Sequence, residues 1–166
     1  LYSRKDLLTK VRFPAQVLPA TVVLTNLINF LLSLPLLLGL GLFFGITPTW
    51  HLAFAVPVLL VQTFFTLAVT YFFAAFNVAF RDLQHIVANL VQMMFFLTPV
   101  LWDIRSVSPM AGMTQEETQR VILTFNPTAS VMSAWRDIFV QQTAPDWVGL
   151  LSVAVISLVL MLSSTA

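Results

Sequence analysis

The chain has 166 residues, of which 58% are hydrophobic and 9% charged, with a formal net charge of +1. A soluble domain usually carries about 45–50% apolar and about 25% charged residues, so this composition is that of a membrane protein. Eight scattered basic residues give no nucleic-acid footprint, and the absence of cysteine excludes disulfides and thiol chemistry.

The apolar residues come in long runs, not in the short alternating segments of an outer-membrane barrel. This predicts an all-α integral membrane protein. The chain starts at Leu1 and stops inside an apolar run at Ala166, so we expect a fragment of a longer subunit.

Residues 3–14 hold Arg4, Lys5, Lys10 and Arg12. Ser3 can cap a short helix that stops before Phe13-Pro14. Leu7, Leu8 and Val11 share one face of it, which makes an amphipathic surface helix. Anionic lipid and a protein partner fit such a helix equally well.

The first predicted span covers 20–46. Asn26, Asn29 and Ser33 interrupt its apolarity, and Asn26 and Asn29 share a face. Polar groups in a span face other helices or a water-filled path, so interhelical hydrogen bonds and a substrate contact both remain open. Pro35 predicts a kink. Gly45-Ile46-Thr47-Pro48 marks a turn, and Trp50-His51 suits the headgroup level. The second span, 52–80, is rich in aromatics. Phe65, Phe72, Phe76 and Phe80 form one stripe, suited to helix packing, to lipid, or to a sliding sugar or acyl chain.

Arg81-Asp82 separates the second and third spans. A charge at the bilayer centre costs from about 2.5 kcal/mol upward, so the pair belongs at a membrane surface. The third span, 86–101, carries Asn89 and Gln92 on one face and Trp102 as an interface anchor. It is barely long enough to cross. Residues 103–146 then hold most of the remaining charge. Thr114 and Glu117 make a capping box that opens a helix at 115–125. Asn126-Pro127 supplies the next N-cap and first turn, for a helix at 127–140. Two short, moderately apolar helices suit a re-entrant hairpin sheltered by protein, with a surface-lying pair as the alternative. The last span is 147–166.

Four spans place both ends on one side. That side carries Arg4, Lys5, Lys10, Arg12 and Arg81 against Asp6 and Asp82. The other carries Arg105, Arg120 and Arg136 against Asp103, Glu116, Glu117, Asp137 and Asp146. The basic side is cytoplasmic by the positive-inside rule, which puts 103–146 outside. His51 and His85 fall on opposite faces and cannot share a site. No metal or triad constellation is visible, and no GxxxxGK[ST] phosphate loop occurs.

Several pieces in this order resemble one family. They are Lys10-Val11-Arg12-Phe13-Pro14, Phe76-Asn77-Val78-Ala79-Phe80-Arg81-Asp82, Phe96-Leu97-Thr98-Pro99-Val100, Asn126-Pro127, and Trp135-Arg136. The chain resembles the membrane (permease) subunit of type 2 ABC exporters, the polysaccharide and polyol-phosphate export family. The resemblance implies six spans in the full subunit, a homodimer, and separate ATPase subunits in the bacterial cytoplasmic (inner) membrane. It implies no cofactor on this chain, with ATP and Mg on the partner subunit.

The same resemblance implies that residues 3–14, with Arg4, Lys5, Lys10, Arg12, Phe13 and Pro14, couple to the ATPase. Arg81 and Asp82 fall in a cytoplasmic loop, and Asn126, Pro127, Trp135 and Arg136 at an external gate. Candidate residues of a translocation path are Asn26, Asn29, Phe65, Phe72, Phe76, Asn89 and Gln92. The substrate implied is a lipid-linked polysaccharide such as O-antigen, capsule or a teichoic-acid-like polymer. Export of drugs or lipids is the alternative, and a membrane-embedded transferase a more distant one.

Overall fold

The computed structural model describes residues 17–79, 83–99, 102, 104–110 and 112–165. Six α-helices occur among them: α1 (Val17–Phe43), α2 (Ala55–Ala79), α3 (Leu83–Leu97), α4 (Gln115–Phe125), α5 (Pro127–Arg136) and α6 (Trp147–Thr165). There is no strand among the described residues, so the protein is all-α. Three stretches are long and apolar enough to cross a membrane: Val17–Phe43, Trp50–Asn77 and Trp147–Ser164. The helix between them, α3, has 15 residues, about 22 Å at 1.5 Å per residue.

The helix ends differ from the sequence expectation, each for a local reason. The span expected at 20–46 is a helix from Val17 that ends at Phe43. Gly45 has φ +82°. Its N–H donates to Leu42 O at 3.0 Å, while Ile46 N–H donates to Gly41 O at 2.8 Å. These two bonds form a Schellman motif, and the left-handed residue it requires favours glycine. Pro35 lies inside this one helix without ending it.

The span expected at 52–80 opens with a 3-10 turn, Trp50–Phe54, before α2 begins. The span expected at 86–101 starts earlier, at Leu83, and stops at Leu97. Thr98 then turns its hydroxyl back on the Met94 carbonyl at 2.7 Å, and Trp102 Nε1 donates to Phe96 O at 3.2 Å. Trp102 thus satisfies a carbonyl left over at the helix end. The helix expected at 127–140 is α-helical only to Arg136 and continues as a π turn, Asp137–Gln141.

Packing centres on α2, α5 and α6. Val58, Ala134, Ile138 and Leu150 are buried together, with Leu52, Phe54, Trp135 and Phe139 against them. Ala68, Val153 and Ser157 are fully buried. Small side chains let two backbones approach closely, which is the usual source of helix association in a bilayer. Gly149 serves the same purpose, since a Cβ there would meet Ser130 Oγ at 3.2 Å. By contrast, α1 exposes many large apolar side chains, and Val23 is its only buried residue.

The α4–α5 hairpin is held by its own caps. Thr114 Oγ1 accepts from Glu117 N–H, and the Glu117 carboxylate accepts from Thr114 N–H at 2.7 Å. These bonds hold the exposed Glu117 carboxyl below its ordinary range, the Thr114 backbone bond contributing most. Ser130 Oγ donates to the Leu123 carbonyl across the hairpin.

Candidate functional site

Gln62 lies near the midpoint of the apolar stretch Trp50–Asn77. An amide there is costly unless it is paired or faces something polar. Trp135, on α5, donates its Nε1–H to Gln62 Oε1 at 2.6 Å. An indole N–H only donates, so the atom facing it must be the amide oxygen, which turns the amide nitrogen the other way. Trp135 also meets Phe30 of α1 edge-on at 5.3 Å and stacks on Phe139 at 5.6 Å. Through these contacts a residue of the hairpin joins α1 and α2 midway along both.

Beside this junction lies a groove of about 250 Å³, lined by Val23, Asn26, Leu27 and Phe30 of α1 and by Gln62, Thr63 and Thr66 of α2. Thr63 and Thr66 donate their hydroxyl protons to Leu59 O and Gln62 O, at 2.7 and 2.8 Å. Their oxygen lone pairs stay available. Among the described residues, no charged group lines the groove.

A second, larger and almost wholly apolar cavity of about 430 Å³ lies between α2, α3, α6 and the hairpin tip. Phe65 and Phe72 line it, with Met94, Pro127, Ile156 and Leu160. Pro127 thus sits level with the middle of α6. Phe76 leans on Phe72, with ring centroids 4.7 Å apart.

At the far end of the hairpin, Gln142 adopts a left-handed conformation (φ 54°) that closes the π turn. It receives a hydrogen bond from Thr49 Oγ1 at 2.8 Å and donates to Thr47 O at 2.6 Å. The hairpin is therefore clasped to the α1–α2 loop. Nearby, Phe54 meets Trp147 edge-on at 5.6 Å and Trp50 at 5.2 Å, so the starts of the second and last long apolar stretches lie at one level.

Of the residues singled out from the sequence, Asn26 lines the polar groove and Trp135 borders it, while Phe65 and Phe72 line the apolar cavity. Asn29 is exposed on α1 and does not line the groove with Asn26. Asn89 and Gln92 are exposed on α3 and line neither space. Asn126 is buried at the hairpin tip. Its side-chain oxygen accepts from Ala129 N–H at 3.1 Å and its nitrogen donates to Leu97 O at 3.4 Å.

Arg136 shares a small polar cavity of about 150 Å³ with Asp137, Gln119 and Asp146. Arg4, Lys5, Lys10, Arg12, Phe13, Pro14, Arg81 and Asp82 lie outside the described residues. The sequence reading passed over Gln62, Thr63, Thr66 and Gln142. An amide in the middle of a long uncharged run was the available signal for Gln62.

Fold and groove together define a multi-pass, all-α integral membrane protein. No family model matches the chain. It is 49% identical over 163 residues to the O-antigen export system permease RfbA of Myxococcus xanthus, covering 98% of this chain and 60% of that protein. A Klebsiella pneumoniae protein of the same name is 30% identical over 83% of this chain and 51% of its own length. A second one from Klebsiella pneumoniae is 28% identical over 81% and 49%. The chain thus spans about half to three-fifths of the curated relatives it matches. Over that length it is similar to proteins named as O-antigen export permeases, and its long apolar helices are those of a multi-pass inner-membrane protein.

Proposed function

We infer that this chain is part of the membrane subunit of an ATP-driven exporter, one that moves a lipid-linked polysaccharide outward across the inner membrane. The observation that carries this reading is the 49% identity, over nearly the whole chain, to a protein named as an O-antigen export permease. An uncharged polar groove at mid-membrane depth, beside aromatic side chains, supports a neutral, hydroxyl-rich substrate over a charged one. In this reading ATP and Mg bind a partner ATPase. Two copies of the full subunit then form the path.

In this reading the basic stretch Arg4, Lys5, Lys10, Arg12, Phe13 and Pro14 docks on the ATPase, and Arg81-Asp82 lies on the same cytoplasmic side. The α4–α5 hairpin enters the membrane from outside, with Asn126 and Pro127 at its deep tip. Arg136 then stands nearer the exit, while Trp135 reaches inward to Gln62. ATPase closure moves the basic stretch, α1 follows, and the α1–α2 groove and hairpin shift together through Trp135 and Gln142.

The test is genetic. Inactivating the full-length gene should abolish surface polysaccharide and leave the lipid-linked polymer inside the cell. The wild-type gene should restore the surface polymer, whereas Lys10→Glu with Arg12→Glu should not. Unchanged surface polysaccharide after inactivation would overturn the reading.

A further inference from the structure

We propose that the groove between α1 and α2 is a binding subsite for one neutral sugar ring, with Gln62 as its principal hydrogen-bonding residue. The proposal rests on the reading of the chain as a polysaccharide exporter and assigns a place in it where the polymer is recognised.

The chemistry of the lining narrows the ligand. Trp135 fixes Gln62 Oε1 at 2.6 Å, which aims the two amide N–H donors away from the indole. No hydrogen bond of that nitrogen, or of the Asn26 side chain, occurs among the described residues. Thr63 and Thr66 have already given their protons to backbone carbonyls, so they can only accept. The groove therefore offers donors from Gln62, acceptors from Thr63 and Thr66, and both from Asn26. A sugar hydroxyl donates and accepts at once, and it matches such a set. A phosphate, which only accepts and carries charge, would face acceptor oxygens with no cation to balance it. Phe30 supplies an apolar wall for the C–H side of the ring. A cavity of about 250 Å³ holds one ring and not a folded chain.

Depth makes the assignment consequential. In hydrocarbon these unpaired amides would be costly. On α2, Gln62 stands away from the lipid-facing Leu60, which is 66% exposed. A hydroxyl-bearing ligand, passing rung by rung, satisfies them without binding so tightly that it cannot leave.

The test uses the full-length permease with its ATPase in cells that make the polymer. A photoreactive benzoylphenylalanine replaces Thr66, which is exposed and lines the groove while leaving Gln62 and Asn26 intact. The same amino acid at Leu60 is the lipid-side control. After irradiation, the denatured permease is stained for attached glycan, and surface polysaccharide is measured in parallel. We expect a glycan ladder from position 66, at least about fivefold stronger than from position 60, and none in cells that make no polymer. Adding Gln62→Leu should cut capture about fivefold, the factor that one hydrogen bond of about 1 kcal/mol corresponds to. Gln62→Asn should retain more of it than Gln62→Leu.

The proposal is overturned if position 66 captures a polypeptide and no glycan, since a neighbouring helix then fills the groove. It is also overturned if no glycan is captured while export proceeds, or if Gln62→Leu leaves capture unchanged. Failure of the exporter reading shows separately, as surface polysaccharide that does not depend on this protein.

Discussion

At the hairpin tip, Asn126 uses both ends of its amide. The oxygen caps α5 through Ala129 N–H, and the nitrogen reaches the Leu97 carbonyl at the end of α3. Loss of an Asn N-cap costs about 0.5–2 kcal/mol. Here the Leu97 carbonyl also loses a partner in apolar surroundings, which adds to the cost. We expect Asn126→Ala to destabilise the detergent-purified full-length protein by about 2 kcal/mol, seen as a lowered midpoint of thermal unfolding. Asn126→Ser keeps the cap oxygen but not the bond to Leu97, and should fall between. Equal midpoints for wild type and Asn126→Ala would contradict this account of the tip.

Local chemistry of this kind is legible in a sequence. Thr114 with Glu117, and Asn126 with Pro127, announce their caps because every partner lies within four residues. The bond from Trp135 to Gln62 spans 73 residues, and no spacing rule brings those two together. Gln62 could be noticed as a stranded amide but not matched to its indole.

Among the elements, the α4–α5 hairpin decides how the molecule is read. Its helices are too short to cross, yet Trp135 meets Gln62 at mid-span, and Pro127 and Thr128 share a cavity with Ile156 and Leu160. Two short helices at membrane depth need their polar ends covered. The Asn126 cap, the Ser130 bond to Leu123 and the Gln142 clasp supply that cover. The chain contains no cysteine, so single cysteines report depth cleanly. In cells with a permeabilised outer membrane, an impermeant maleimide should label Gln115→Cys readily. It should reach Thr128→Cys only after detergent, and Gln84→Cys only after lysis. Equal labelling at 115 and 128 would mean that the hairpin lies on the surface. Labelling at 84 but not 115 would invert the topology.

The sequence showed two short helices here, but not where the second one changes character. A π turn at Asp137–Gln141 ending in a left-handed Gln142 has no compositional mark. It forms because the side chain of Gln142 finds Thr47 and Thr49, which are far away in the sequence. The third span ends at Leu97, just before the Thr98-Pro99 break visible in the sequence, and Thr98 and Trp102 turn back onto its last carbonyls. The aromatic stripe on α2 was visible as a period. Only the packing shows that Phe65 and Phe72 face a shared cavity while Phe76 rests on Phe72.

At the scale of the whole molecule, the described residues form a bundle with an open side. The buried core lies between α2, α5 and α6, whereas the long apolar α1 buries only Val23. Lipid, a second copy and the rest of the subunit are the surroundings that suit such a face. The relatives it matches are longer, with 60% of the Myxococcus xanthus permease covered. Among the described residues, movement of α1 is therefore opposed by few buried contacts. It remains tied to the hairpin by Phe30 on Trp135, and its end by the Gln142 clasp. In the proposed exporter, such a helix would carry motion from the ATPase side to the gate.

Vesicle transport tests the central claim most directly. The full-length permease and its ATPase are reconstituted with the ATPase facing outward, and a radiolabelled lipid-linked polysaccharide is placed in the outer leaflet. With ATP and Mg outside, the account predicts that the labelled polymer becomes protected from an added glycosidase. Protection should fall strongly with Lys10→Glu plus Arg12→Glu. Digestion of the polymer to the same extent with and without ATP would contradict the claim that this chain is part of a polysaccharide exporter.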